Sequence, residues 1–270
     1  MKKYIVSLIL VVGLVGCGDS GSSSSSSDSV QSVPTSAGGA NKIGKGGSQA
    51  RFVISGDYLY TLNKRDLEAF DITEPDNPLP YTRDSVSFDV ETLFSYGKYL
   101  YIGAEGGIYI YTKPTPSKGL EKIGEFTHVK SCDPVVVAND LAFVTLNSGS
   151  SCRLNSGKNA LEVLDVKDPL NPKLLMSRNM IEPKGLGIDD NRLFICDGVG
   201  GLKVFDVVSS ENNESNETKV NIIFDRNSTL ADINCYDLIP YNKNLIVSNG
   251  DDVRQFDYSH FPMVELGRIK

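Results

Sequence analysis

Four acidic residues occupy corresponding places in a repeating sequence, each just before an apolar segment. They are Asp89, Asp133, Glu182 and Asp232. If the fold brings these places together around one opening, converging carboxylates can hold Ca²⁺ or attract a cationic partner. Aspartate is also common in solvated turns, which explains the same residues without any ligand. Both interpretations require a fold that repeats around an axis.

Other signals of chemistry are few. His128 and His260 are the only histidines, and neither lies in a recognisable nucleophile motif. The glycine-rich stretch 198–201 lies between two predicted strands, so it predicts a hairpin turn and not a phosphate-binding loop that opens a helix. The sequence therefore predicts no catalytic residue, and no cofactor apart from the Ca²⁺ that the acidic residues would hold.

The elements that would position these residues repeat along the chain. Short apolar phrases contain five leucines, spaced 41, 41, 52 and 52 residues apart: Leu59, Leu100, Leu141, Leu193 and Leu245. A second apolar segment follows each phrase, and its alternating pattern is that of a strand. In four repeats it ends in an aspartate that we expect to fix the next turn by accepting a backbone hydrogen bond: Asp71, Asp165, Asp206 and Asp257.

Weaker strand signals complete each repeat, one before the leucine phrase and one after the turn. Four short strands in a period of this length, with no helical pattern, are typical of a β-propeller blade. The sequence predicts an all-β fold: a five-bladed β-propeller of four-stranded antiparallel blades over residues 48–270. No strand is left over to join the last blade to the first, so the ring closes by face packing or the five units belong to a larger assembly.

One phrase of the sequence, residues 160–172, reads ALEVLDVKDPLNP, and it returns in altered form at 67–78 and 201–207. It resembles the LVIVD repeat of bacterial β-propeller proteins. The second and fifth repeats lack the Asp-Pro-x-Asn-Pro turn. The resemblance implies a propeller fold and a surface or secreted location, but no reaction. Because the chain contains no Trp, it fits tryptophan-containing propeller repeats less well.

The N-terminus predicts a lipoprotein. Residues 1–16 combine a basic start with an apolar run too short to span a bilayer, and Leu14-Val15-Gly16-Cys17 resembles the bacterial lipobox. Cys17 would carry the lipid, and residues 17–47, rich in Ser and Gly, would form a disordered tether. Gly18 follows the cysteine where an inner-membrane retention signal would have Asp, so the outer membrane is favoured. A plain signal peptide is the alternative.

Three Asn-x-Ser/Thr triplets each have an acidic residue two places before the asparagine, a form that resembles the acceptor site of bacterial N-glycosylation. The acceptors would be Asn213, Asn216 and Asn227. The first two lie in a polar insertion, 209–219, which predicts an exposed loop. The alternative is that these residues are simply the composition of a solvated loop.

The remaining cysteines are even in number, as expected for a chain sent to an oxidising compartment. In the predicted blades, Cys132 begins a first strand and Cys152 lies in the insertion 147–159 of the same repeat, so these two can meet. Cys196 ends a second strand and Cys235 begins the first strand of the next blade, on the same face. We therefore predict the disulfides Cys132–Cys152 and Cys196–Cys235. A zinc site would be the alternative, but no Cys-x-x-Cys spacing supports it.

The net charge of −7 argues against a nucleic-acid partner, because phosphate binding needs clustered Lys and Arg. Together these features predict a non-enzymatic lipoprotein of the cell envelope, anchored in the membrane by lipid, whose propeller is a binding or scaffolding platform for a protein or glycan. An adhesin facing outward differs only in the leaflet it occupies. The alternative function is a propeller-type hydrolase or lyase with a metal at the channel mouth.

Overall fold

The computed structural model describes residues 47–63, 65–86, 90–128, 134–149, 157–212, 217–226 and 228–270. These residues form twenty β-strands in five four-stranded antiparallel sheets. All twenty strands lie in the second of the two units into which the chain divides, Ala40–Lys270. The described residues include no helix long and apolar enough to cross a membrane. The predicted signal peptide, Cys17 and the predicted tether, apart from Gly47, lie outside them.

Each sheet is formed by four consecutive strands. Blade 1 contains β1 (Phe52–Ser55), β2 (Tyr58–Asn63), β3 (Asp66–Asp71) and β4 (Leu79–Ser85). Blade 2 contains β5 (Val90–Tyr96), β6 (Tyr99–Ala104), β7 (Gly107–Thr112) and β8 (Glu121–Thr127). Blade 3 contains β9 (Val135–Ala138), β10 (Leu141–Leu146), β11 (Ala160–Asp165) and β12 (Lys173–Asn179). Blade 4 contains β13 (Leu186–Asp189), β14 (Arg192–Cys196), β15 (Leu202–Asn212) and β16 (Glu217–Phe224). Blade 5 contains β17 (Asp237–Tyr241), β18 (Asn244–Ser248), β19 (Val253–Asp257) and β20 (Val264–Ile269).

Strand order within every sheet follows the chain, so each blade is an antiparallel meander. The first strand of each blade contacts the first strand of the next, from β1 to β5, β9, β13 and β17. This arrangement confirms the predicted five-bladed β-propeller, with the five first strands innermost.

The core lies between consecutive blades in four apolar clusters. Successive side chains of a strand point to opposite faces of the sheet, so one strand can contribute to two clusters. Strand β14 is an example. Leu193 and Ile195 pack toward blade 3, whereas Phe194 packs toward blade 5. Blade 4 therefore buries one face against its predecessor and the other against its successor, the behaviour of a repeat that cannot bury its apolar surface alone.

The interface between blade 5 and blade 1 is different. No apolar cluster of the described residues joins these two blades. Ile246 of β18 occupies the place of Phe194 in β14, yet it is 38% exposed, whereas Phe194 is fully buried. Instead, hydrogen bonds link the segment before β1 to blade 5.

The aspartates after the third strands behave largely as predicted. Asp71, Asp165 and Asp257 each accept a hydrogen bond from the backbone N–H two residues later, at 2.9, 2.9 and 2.7 Å. The prediction of a turn after Asp206 is wrong. Strand β15 continues through it to Asn212, and its carboxylate instead pairs with Arg192 Nε at 2.9 Å.

Two further expectations are corrected. In the third repeat Ala142, not Leu141, occupies the place of Leu100, since Leu141 is the first residue after the turn and packs toward blade 4. The polar insertion 209–219 is not simply a loop. Strands β15 and β16 extend into it and pair from Ser209–Val220 to Asn212–Glu217. Asn213 and Asn216 lie outside the described residues, as does Asn227.

Candidate functional site at the axial mouth

A polar cavity of about 230 Å³ lies at the end of the axis where the five innermost strands begin. All five blades contribute to its wall, through segments just before or at the start of these strands and through the end of β10. The lining residues are Gln49, Arg51, Glu91, Thr92, Pro134, Asn147, Pro183, Lys184 and Tyr236. We call this cavity the axial mouth. Neither Glu182 nor Asp232, the two described members of the four predicted acidic positions, is among these lining residues.

Charges of both signs line the axial mouth. Lys184 Nζ lies 3.2 Å from Oε1 of Glu182 and 5.3 Å from the centroid of the Tyr236 ring, which is 47% exposed. Among the lining residues, Arg51 adds a second cation, and Glu91 supplies a carboxylate. A ring face and hydrogen-bonding groups of both charges suit a polar partner with exposed apolar surface, such as a protein loop or a sugar.

Two of the four acidic residues that the sequence singled out are described. Glu182 lies beside Lys184 as an ion pair, and Asp232 is exposed. Asp89 and Asp133 lie outside the described residues. Within the described ranges, no three His, Cys, Asp or Glu side chains form a group that could hold a metal ion. The convergence of the four carboxylates therefore stays a prediction.

Asp197, which no sequence motif marks, accepts a hydrogen bond from the backbone of Glu182. Its carboxylate is buried and accepts hydrogen bonds from the backbone N–H groups of Ile181 and Glu182, each at 2.9 Å. Burial raises the pKa of Asp197 above its ordinary value, and these two hydrogen bonds oppose the rise. In the sequence, Asp197 is only a polar residue directly after an apolar strand. That pattern is too common to identify a functional residue.

The predicted disulfide between Cys196 and Cys235 is present, with Cα atoms 5.1 Å apart. It links the end of β14 in blade 4 to the segment just before β17 in blade 5, where Gly198 and Cys235 also form an isolated bridge. Tyr236 of the axial mouth follows Cys235 directly, so the disulfide constrains the backbone next to this residue. The predicted partners Cys132 and Cys152 lie outside the described residues.

The segment before β1 crosses to blades 4 and 5. Ser48 is 3% exposed, and its hydroxyl donates to Oδ1 of Asp237 at 3.2 Å and accepts from the backbone N–H of Leu186 at 2.8 Å. Gln49 Nε2 donates to the carbonyl of Tyr236 at 3.2 Å. Burial raises the pKa of Asp237, while hydrogen bonds from Ser48 and backbone N–H groups oppose the rise.

Two glycines make room for the Asp237 carboxylate. A Cβ atom at Gly47 would lie 2.1 Å from its Oδ2, and a Cβ at Gly185 would lie 2.1 Å from its Oδ1. Only glycine fits this close approach. We call Ser48, Asp237 and these two glycines the axial latch. The axial latch could not be predicted from the sequence, because its members are far apart in the chain and none belongs to a recognisable motif.

The two histidines do not belong to the axial mouth. His260 is exposed, and the ring of His128 lies 6.3 Å from that of Phe126 beyond the end of β8. The ends of the insertion 147–159 are described, and there Asn159 Oδ1 accepts from the backbone N–H of Ser148 at 2.9 Å. The central part of the insertion, 150–156, lies outside the described residues.

Comparison with known proteins identifies the fold alone. No protein-family model matches the sequence, and no curated protein matches it. The computationally designed Ika8 protein is 13% identical with a TM-score of 0.54, over 81% of this chain and 60% of the designed one. The periplasmic gluconolactonase PpgL of Pseudomonas aeruginosa is 12% identical with a TM-score of 0.55, over 80% of this chain and 67% of that enzyme. The chain thus spans less than two thirds of the designed protein, and these identities support no transfer of activity.

Proposed function

We propose that this protein is a non-enzymatic lipoprotein of the bacterial cell envelope that binds a protein or glycan partner through the axial mouth. Cys17 carries the lipid anchor, and the residues from Cys17 up to the axial latch, which begins at Gly47, form the tether. As a flexible coil of about 30 residues, the tether reaches on the order of 30 Å from the membrane. The outer membrane is the favoured location, with the propeller in the periplasm or at the surface.

The observation that carries this proposal is the construction of the axial mouth. Five blades contribute to one polar cavity of mixed charge, and the Cys196–Cys235 disulfide and the axial latch hold its edges. Binding costs less when the binding groups are already fixed in place. Rigid strands that present connecting segments on one face are a common way to build a recognition surface.

A pull-down from envelope extracts tests the proposal. The bait is the mature chain, compared with an Arg51→Glu variant that reverses one charge of the axial mouth and a Lys173→Glu variant that reverses an exposed charge on the outer strand β12. We expect the wild type and Lys173→Glu to capture the same partner in the presence of EDTA, and Arg51→Glu to capture at least fivefold less. Equal capture by all three baits contradicts a role for the axial mouth.

The chelator tests the alternative function. A hydrolase or lyase with a metal at the mouth would depend on the carboxylates of Asp89, Asp133, Glu182 and Asp232. In that case EDTA would abolish capture by the wild type, and added Ca²⁺ would restore it. The platform proposed here keeps its partner in EDTA.

A further inference from the structure

The wall of the axial mouth has hydrogen-bonding groups beyond those of its side chains. Each innermost strand pairs with only one neighbour, so its other edge has no partner strand within the sheet. That edge faces the axis, where it presents backbone N–H donors and C=O acceptors. Two of these groups, the N–H of Leu93 and that of Leu186, already donate to the segment before β1. Backbone and side chains together suit a ligand with many hydroxyl groups.

Tyr236 supplies an apolar surface within this polar wall. It is 47% exposed, and Gln49 Nε2 donates to its backbone carbonyl at 3.2 Å, which leaves the amide oxygen of Gln49 as an acceptor. The other apolar residues of the wall are Pro134 and Pro183. Partner proteins usually insert large apolar anchors into apolar pockets, which this wall does not form. An aromatic face among hydrogen-bonding groups instead matches a pyranose ring, with its C–H face and its hydroxyl edge.

The charges of the axial mouth are not all paired. Lys184 forms an ion pair with Glu182, at 3.2 Å. Arg51, in contrast, is exposed and forms no ion pair with any described residue. A guanidinium group binds a carboxylate through two parallel hydrogen bonds. Arg51 is therefore the group that a carboxylate on the ligand would meet.

The size of the axial mouth limits the ligand to one ring. Its volume is about 230 Å³. An engineered cavity of roughly 150 Å³ holds one benzene ring, so the mouth has room for one sugar unit with its substituents. Because the mouth lies at the end of the axis, the other units of a longer glycan would extend into solvent.

We propose that the axial mouth binds one carboxylated sugar unit, a hexuronate, at the end of a glycan. This inference rests on the proposed function and deepens it, because it names the partner of the same site. The C–H face of the sugar stacks on Tyr236, and its carboxylate pairs with Arg51. Its hydroxyl groups bond to Gln49, to Glu91 and to the free strand edges.

The test uses methyl glucuronide as the probe, followed by saturation-transfer NMR with the mature chain. Methyl glucoside has the same ring without the carboxylate, and acetate has the carboxylate without the ring. We expect saturable binding of methyl glucuronide with a dissociation constant on the order of 1 mM for a ligand of this size. Methyl glucoside should bind about tenfold more weakly, and acetate should not bind. Absence of saturable methyl glucuronide binding, or equal binding of the two sugars, overturns the proposal.

Variants of two residues assign the contacts. Arg51→Gln should remove the preference for methyl glucuronide and leave methyl glucoside binding unchanged. Tyr236→Ala should weaken both sugars about fivefold, whereas Tyr236→Phe keeps the ring and should bind like the wild type. The matched controls are Lys173→Gln, on the outer strand β12, and Tyr241→Ala, at a tyrosine that is exposed outside the wall. Circular dichroism checks folding. An unchanged preference in Arg51→Gln, or equal effects of Tyr236→Ala and Tyr241→Ala, contradict the assignment.

The same experiments separate this inference from the proposed function. If methyl glucuronide does not bind, yet Arg51→Glu still captures less partner from envelope extracts than Lys173→Glu, the sugar assignment is wrong and the axial mouth binds a protein. If these two baits also capture equally, both proposals are wrong.

Discussion

The hydroxyl of Ser48 lies 3.2 Å from Oδ1 of Asp237, although 189 residues separate the two in sequence. This hydrogen bond joins the segment before blade 1 to the innermost strand of blade 5, between blades that share no apolar cluster of described residues. The two ends of the repeat array are thus linked by polar contacts at the axis, whereas all four other blade interfaces are packed with apolar side chains.

The axial latch predicts a large effect from a small substitution. Ser48→Ala removes the donor to Asp237 and the acceptor for the backbone N–H of Leu186, and leaves both buried groups short of a partner. We expect the free energy of unfolding to fall by about 1–3 kcal/mol in urea titrations. The control is Ser209→Ala, at an exposed serine of β15, which should change it by less than about 0.5 kcal/mol. Equal effects would show that the latch contributes nothing.

Neighbouring residues of β18 test whether blade 5 has one packed face. Leu245 is buried between blades 4 and 5, whereas the next residue, Ile246, points to the opposite face and is partly exposed. Leu245→Ala should lower the free energy of unfolding by about 2–5 kcal/mol. Ile246→Ala should lower it by less than half as much, because folding buries less of the apolar surface of Ile246 than of Leu245. Urea titrations of both variants give the comparison, and similar losses would mean that blade 5 is packed on both faces.

Lys113 predicts a dependence of stability on pH. Its Nζ donates to the carbonyl of Gly97 at 2.6 Å and to Oγ of Ser55 at 2.7 Å, and burial lowers its pKa to about 8. The native state then binds fewer protons than the unfolded state between the native pKa and the ordinary lysine value near 10.4. Stability contributed by this group therefore rises with pH across that window.

Lys113→Gln removes this titration. We expect the free energy of unfolding of the wild type to rise relative to that of the variant between pH 8 and pH 10, and to run parallel to it between pH 6 and pH 7. Chemical denaturation at each pH measures the difference. Lys173→Gln, at an exposed position, serves as the control. Parallel curves at every pH would mean that Lys113 titrates as an ordinary lysine.

The Cys196–Cys235 disulfide encloses a long loop, with 39 residues of sequence separation. In the chain-entropy account, a bridge of this span contributes roughly 4 kcal/mol. Replacing both cysteines by Ser should lower the free energy of unfolding by an amount of that order, and treatment of the wild type with reductant should do the same. A peptide map without reduction should contain the linked pair, and would also test the predicted Cys132–Cys152 link. Alkylation of Cys196 and Cys235 in the unreduced protein would contradict the bridge.

Much of the fold could be predicted because it depends on local sequence. The alternation of apolar residues identifies the second and third strands, and the recurring aspartate predicts three of the turns that follow. Asp206 has the same local sequence but makes no turn, because the pairing of β15 with β16 extends beyond it. Its carboxylate forms an ion pair with Arg192 instead. The local sequence alone therefore cannot distinguish an aspartate that ends a strand at a turn from one that lies within a longer pair of strands.

The candidate site depends on contacts between distant parts of the chain and was predicted less completely. Geometry of the predicted blades was sufficient to pair Cys196 with Cys235, since both positions follow from the strand pattern. Ser48 and Asp237 could not be found in this way, because the path of the segment before β1 is set by a close approach that only Gly47 and Gly185 permit. The two cations of the axial mouth, Arg51 and Lys184, likewise could not be predicted, because neither belongs to a sequence pattern that recurs between the repeats.

Binding at the axial mouth is tested most directly by site-specific photo-cross-linking in intact cells. Arg51, at the mouth, or Lys173, on the outer strand β12, is replaced by the photoreactive amino acid p-benzoylphenylalanine. We predict that irradiation produces a covalent adduct of one defined mass from position 51 and none from position 173. Adducts from position 173 alone, or the same adducts from both positions, would contradict it.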